Sequence, residues 1–164
     1  MRSKFLLFGI LFMAIFATSC SSSKSATEST SVDMKKKLFN GTWVLSYVEE
    51  DKGLQLAPDL MVFGLGDAQC FKGSVWNLVS NNNTGVINLA EGTACVAGSY
   101  NTMWTVSGDT YNFKFIDSRN TAKHVTTGYS LKILSIDENN MRLQTTVSFL
   151  NKQCPIVFHF EKQQ

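Results

Sequence analysis

The chain has 164 residues, with 15 Lys and Arg against 13 Asp and Glu, a formal charge of +2, and 44% hydrophobic residues. That length holds one domain with one core. A charge so near neutrality leaves no electrostatic footprint for nucleic acid, and no nucleic-acid partner is expected.

Arg2 and Lys4 open the chain, and Phe5 to Ala17 is an unbroken apolar run of 13 residues. As a helix such a run reaches about 20 Å, short of the roughly 30 Å hydrocarbon core. A positive start, a short apolar run and the small residues Ala17, Thr18 and Ser19 mark an export signal rather than a membrane span. Cys20 follows at once, and the arrangement resembles the bacterial lipobox, here in a relaxed form with Ala17 three positions before the cysteine. The resemblance implies a signal peptide over 1–19, cut before a Cys20 that carries a diacylglyceryl group and palmitate-type acyl chains. The alternative is an ordinary secretory signal cut near Ala17, with Cys20 a plain thiol. A free cysteine at a flexible N-terminus is a reactive liability in an oxidising compartment. Two or three acyl chains hold a protein on a membrane where one is marginal.

Residues 20–37 are rich in Ser, Thr and Lys and lack apolar periodicity, which predicts a flexible tether from Cys20. An Asp at position 21 would resemble an inner-membrane retention signal, and an acidic run after the cysteine would resemble a surface-export signal; the chain has Ser21 and only scattered Glu28 and Asp33. The expected location is the outer membrane, facing the periplasm, with the cell surface as the alternative. Without Arg2 and Lys4, 13 basic residues face 13 acidic ones.

The rest alternates. "GTWVLSYVEE" (41–50) predicts a strand with Trp43, Leu45 and Tyr47 on one face. Residues 51–69 are ambiguous between a short helix around Pro58–Phe63 and a weak strand. Strands follow at 70–80, after which "NNNTG" turns, and at 86–90. Further strands are predicted at 99–107, 110–117, 124–136, 141–150 and 155–162, with turns at "GD", "DENN" and "NKQC". Gly73 and Gly128, inside predicted strands, read as bends or bulges. Neighbouring hairpins of this kind pair antiparallel. The fold class is all-β, an eight-stranded antiparallel up-and-down barrel whose closure removes sticky edges; a two-sheet sandwich is the alternative. Outward positions include Asn112, Lys114, Lys132, Arg142 and Gln144, costly in lipid, so a soluble barrel on a tether is expected, as a monomer.

Three cysteines remain in the domain, enough for one disulfide and one leftover thiol. Cys70 and Cys95 flank a predicted hairpin, and closing their loop of about 25 residues contributes roughly 3 kcal/mol in the chain-entropy model. Pairings of either with Cys154 stay open. No finger spacing exists, and His124 and His159 are far apart, so neither a metal site nor a cofactor is expected.

"LFNGTWVLSYVEE" resembles the opening strand of lipocalins, in which a Gly-x-Trp caps the barrel base; Gly41 and Trp43 fit it. With "CFKGSVWNLVSNNNTGVINLAEGTAC…MWTV", roughly residues 38–162 of the domain expected over 38–164 resemble the lipocalin-like lipoproteins of Bacteroidetes-type bacteria. The resemblance implies a lipocalin-like barrel binding small hydrophobic molecules in its calyx.

Inward Trp104, Phe113, Phe115, Tyr129, Phe149 and Phe158 are the candidates to line such a pocket. The same rings equally serve as plain core. An eight-stranded barrel filled by side chains would instead be a structural or protein-interaction module, with 51–69, 91–98 and 118–123 as contact loops. Catalysis is not expected: no Gly-x-Ser-x-Gly elbow, His metal pair or phosphate loop occurs, and a pairing of His124 with Cys154 or Cys70 is weaker than structural roles for each.

Overall fold

Period-two alternation becomes a strand at each of eight places. These are β1 (Gly41–Glu50), β2 (Val75–Val79), β3 (Thr84–Leu89), β4 (Gly98–Ser107), β5 (Thr110–Ile116), β6 (Tyr129–Ile136), β7 (Asn140–Phe149) and β8 (Lys152–Lys162). The computed structural model describes residues 33–54, 60–90, 96–116 and 127–164. The expected signal segment, Cys20, most of the tether, Cys95 and His124 lie outside the described residues.

Each strand pairs antiparallel with the next, and β1 pairs antiparallel with β8 from Trp43↔Lys162 to Glu50↔Ile156. That last ladder closes the sheet and excludes the sandwich. Closure gives every strand a partner on both sides, although the β5–β6 ladder spans only Thr110–Phe113 and the β6–β7 ladder stops at Gln144. Lys132 and Arg142 are exposed, and Asn112, Lys114 and Gln144 are half-buried on the outer wall. Among the described residues no helix is long and apolar enough to cross a membrane.

Turn chemistry explains the tight connections. Asn82 Oδ1 accepts from the Thr84 N–H and Oγ1 ahead of β3, at 3.2 and 2.6 Å. Asp137 Oδ1 accepts the N–H groups of Asn139 and Asn140 at 2.8 and 2.7 Å, shaping the β6–β7 turn. Leu150 and Asn151 both have positive φ, 47° and 61°, the backbone of a two-residue type I′ hairpin. The turn therefore centres on Leu150 and Asn151, sharing only Asn151 with "NKQC", and β8 begins at Lys152, before Pro155.

Four other expectations change. The register of β1 on β8 shifts between Leu45 and Tyr47. The extra residue flips the alternation, so Tyr47 turns outward at 54% exposure and Val48 takes the inward place at 2%. Cys70 does not open a strand: Gln69–Phe71 is a 3-10 turn, started by Asp67 Oδ1 accepting the Cys70 N–H at 2.9 Å. Gly73 and Gly128 lie just ahead of β2 and β6, not inside them. The end of the expected tether is helical over 33–38, with Lys35 ion-paired to Asp109 of the β4–β5 turn.

Candidate functional site: the two ends of the barrel interior

Up-and-down order sorts the connections. The chain enters β1 at one end, the base, with the β2–β3, β4–β5 and β6–β7 turns. The β1–β2, β3–β4, β5–β6 and β7–β8 connections all leave at the other, the mouth; of the three expected contact loops, 118–123 and parts of 51–69 and 91–98 lie outside the described residues.

The base is sealed by rings. Trp43 is fully buried, and its Nε1 donates to the Phe39 carbonyl at 2.9 Å. Phe39, just past the helical stretch, stacks on Tyr111 with centroids 5.0 Å apart and planes 12° from parallel, and it lies 5.7 Å from Trp104. Trp104 Nε1 donates to the Thr84 carbonyl at 2.7 Å. Lys162 Nζ sits 5.0 Å above the Trp43 ring, a cation–π contact. Gly41 has φ +128°, and a Cβ there would fall 2.6 Å from Lys162 Cε. A side chain at position 41 would be strained at that φ and would push the flexible end of Lys162 aside, which gives the glycine two residues before Trp43 its physical sense.

The middle is a continuous aromatic column. Trp76 meets Phe160 at 5.0 Å and Phe113 at 5.7 Å. Tyr111 is fully buried with no hydrogen-bond partner for its hydroxyl among the described residues. Burial pushes its pKa far above the usual phenol range.

The mouth is closed by a loop residue. Val62–Leu65 is a tight turn, with the Leu65 N–H donating to the Val62 carbonyl at 3.1 Å and the Val62 N–H to the Gly66 carbonyl at 2.6 Å. Its central residues, Phe63 and Gly64, both have positive φ, 52° and 70°. Their signs and the hydrogen bond are those of a type I′ turn, which prefers Asn, Asp or Gly at both places. Phe63 nonetheless occupies the first of them and drives its ring into the barrel. It lies 5.1 Å from Phe113, 5.3 Å from Phe71 and Tyr129, and 5.6 Å from Phe158. Tyr129 carries a hydroxyl whose pKa is raised by partial burial.

The six candidate lining residues divide accordingly. Phe113 and Phe158 face the Phe63 ring directly, Tyr129 does so from the mouth, and Phe115 touches Tyr129 at 5.7 Å. Trp104 belongs to the base seal. Phe149 is only partly buried, packed against the core near the end of β7. Phe39, Phe63, Phe71 and Lys162 were not singled out by the sequence; a lone ring flanked by Gly64 and Gly66 is the one signal the loop offered. Cys154 is a free thiol, whereas Cys70 is engaged; Cys95 lies outside the described residues.

With Phe63 seated, two recesses adjoin the candidate residues. One of about 610 Å³ opens over β4–β6 beside Met103, Thr105, Asn112 and Lys114, and the candidate residues Trp104, Phe113 and Tyr129 also line it. Another, about 290 Å³, lies along the mouth between Met61–Gly64, Gly128–Ser130 and Thr145–Val147. No group of three potential metal ligands occurs among the described residues. His159 Nε2 lies 3.2 Å from Glu49 Oε2 on the outer wall, away from the interior.

No curated protein matches the chain. Among solved structures, that of an uncharacterized protein from Bacteroides eggerthii DSM 20697 is similar, at 12% identity, covering 76% of this chain and 99% of that one with a TM-score of 0.44. A family model described as a lipocalin-like domain matches residues 39–143. That match takes in Phe39, Gly41, Trp43 and six complete strands: the chain belongs to the lipocalin-like domain family.

Proposed function

We propose that the protein is a non-catalytic, monomeric lipoprotein of a Bacteroidetes-type bacterium, tethered by an acylated Cys20 to the periplasmic face of the outer membrane. Its barrel takes up a small hydrophobic ligand through the mouth. The observation that carries the reading is the aromatic chamber at the mouth end: Phe71, Phe113, Tyr129 and Phe158 surround a volume filled by one loop ring, Phe63. Largely apolar walls with one polar group at the rim are what a small-ligand site requires.

The N-terminal sequence supports the tether. Expression of the full chain in a bacterial envelope, with intact-mass analysis, tests it: wild type carries a diacylglyceryl-sized addition on Cys20 and sediments with membranes, and Cys20→Ser is released. Titration of that released chain with apolar compounds, read by tryptophan emission, tests the ligand. Saturable binding at one site supports the carrier; no response to any compound removes it. One observation favours a second reading, that of an interaction module with a filled barrel: the interior is already occupied by side chains, Phe63 included.

A further inference from the structure

Phe63 raises a physical problem. An aromatic residue at φ +52° is strained, and its turn type favours small polar residues. Local preference therefore acts against this conformation, and the ring's burial must hold it. The cage is built for a ring. Phe71, Phe113 and Tyr129 stand at 77°, 79° and 64° to the plane of Phe63, and Phe158 is tilted at 37°, so three of the four rings meet it edge to face, the arrangement that aromatic quadrupoles favour. An alkyl chain in the same place would gain none of this.

We propose that the seat of the Phe63 ring is the inner subsite for a ligand, and that the ligand carries a terminal, unfused aromatic ring on a slender apolar linker. The inference rests on the ligand-binding reading above and names its ligand class. Phe63 is then a built-in occupant that the incoming ring displaces. The turn is suited to release. Among the described residues its backbone hydrogen bonds are internal apart from the Val96 N–H donating to the Leu65 carbonyl at 3.1 Å, and Gly64 and Gly66 both have the positive φ of permissive pivots. The recess of about 290 Å³ that touches Phe63, Gly64 and Tyr129 gives the linker its way out. The Tyr129 hydroxyl, close to Gly64, would meet a polar group at the end of that linker.

The test uses the exported full chain with Cys20→Ser, titrated calorimetrically with 4-phenylbutan-1-ol and with dodecanoic acid. 4-Fluorophenylalanine at position 63 reports the plug by fluorine NMR. The expected result is binding of the phenylalkanol with the fluorine signal moving to a solvent-exposed value. Removing the plug in Phe63→Ala should tighten that binding by about tenfold or more, because no competing occupant remains. Phe63→Leu, which keeps bulk without a ring, covers the case in which the alanine variant does not fold, and should also bind the phenylalkanol more tightly than wild type. Binding of dodecanoic acid alone, or binding of either compound with the fluorine signal unmoved, overturns the subsite while leaving the carrier reading intact. Binding of the phenylalkanol only after Phe63 is removed overturns displacement. No binding to wild type or either variant overturns both.

Discussion

Replacing Tyr111 by Phe should make the protein more stable. Its hydroxyl lies in the base seal at 0% exposure, without a hydrogen-bond partner among the described residues. Leaving such a group buried costs about 1–3 kcal/mol. The ring's contacts, 5.0 Å to Phe39, 5.7 Å to Trp104 and 5.9 Å to Phe113, survive the substitution. The gain should therefore be about 1–2 kcal/mol, or a rise in Tm of about 3–8 °C for a domain of this size. Thermal and urea unfolding followed by circular dichroism read it, with a higher midpoint and an unchanged m-value. The pH dependence carries a sign. Burial raises the folded-state pKa of Tyr111, so above about pH 10 the unfolded chain ionises there while the folded chain does not. Stability is then lost as pH rises, and the advantage of Tyr111→Phe should widen in that range. A variant less stable than wild type would refute the reasoning, since it would mean that the hydroxyl is satisfied in solution.

Phe39→Ala should cost about 3–5 kcal/mol, the usual loss for a fully buried aromatic ring, measured by urea unfolding; a loss under 1 kcal/mol would show that the helical stretch does not seal the base. Asp137→Ala should destabilise the β6–β7 turn at neutral pH. The backbone N–H groups of Asn139 and Asn140 hold the Asp137 carboxyl below its usual pKa, so its contribution exists above the ordinary carboxylate range and fades as pH falls through the folded value. Wild type and variant should accordingly converge in midpoint below about pH 4, and a constant gap would count against the turn's electrostatics. Of Cys70, Cys95 and Cys154, only Cys154 should alkylate in the denatured, unreduced domain, with a mass two hydrogens short. Labelling of all three would rule out a Cys70–Cys95 bond.

The barrel was legible because period-two alternation survives wherever a strand separates core from solvent. β4, β5 and β7 carry Trp104, Phe113 and Leu143 inward as their sequences imply. Alternation failed at Tyr47, since a bulge is a backbone event with no signature in "LSYV". It also failed at Cys70 and Phe71, where Asp67 begins a 3-10 turn inside what looked like a strand. The base motif was half legible: Gly41 and Trp43 stood out, but Phe39 and Lys162 matter only through contacts made at the two ends of the chain. The mouth was the least legible. Phe63 sits against its own turn propensity, and only the four rings around it, drawn from the 3-10 turn, β5, β6 and β8, explain the position. Residues 51–69 resisted assignment for that reason.

In the proposed function the barrel holds one small apolar molecule at the mouth. Native mass spectrometry of the protein purified from its own cell envelope, without added ligand, tests this most directly. A carrier should show a single adduct of a few hundred daltons, beyond any covalent lipid, that leaves on denaturation. A bare protein mass that stays bare after incubation with both aromatic and aliphatic compounds would contradict it, and would favour the filled-barrel interaction module.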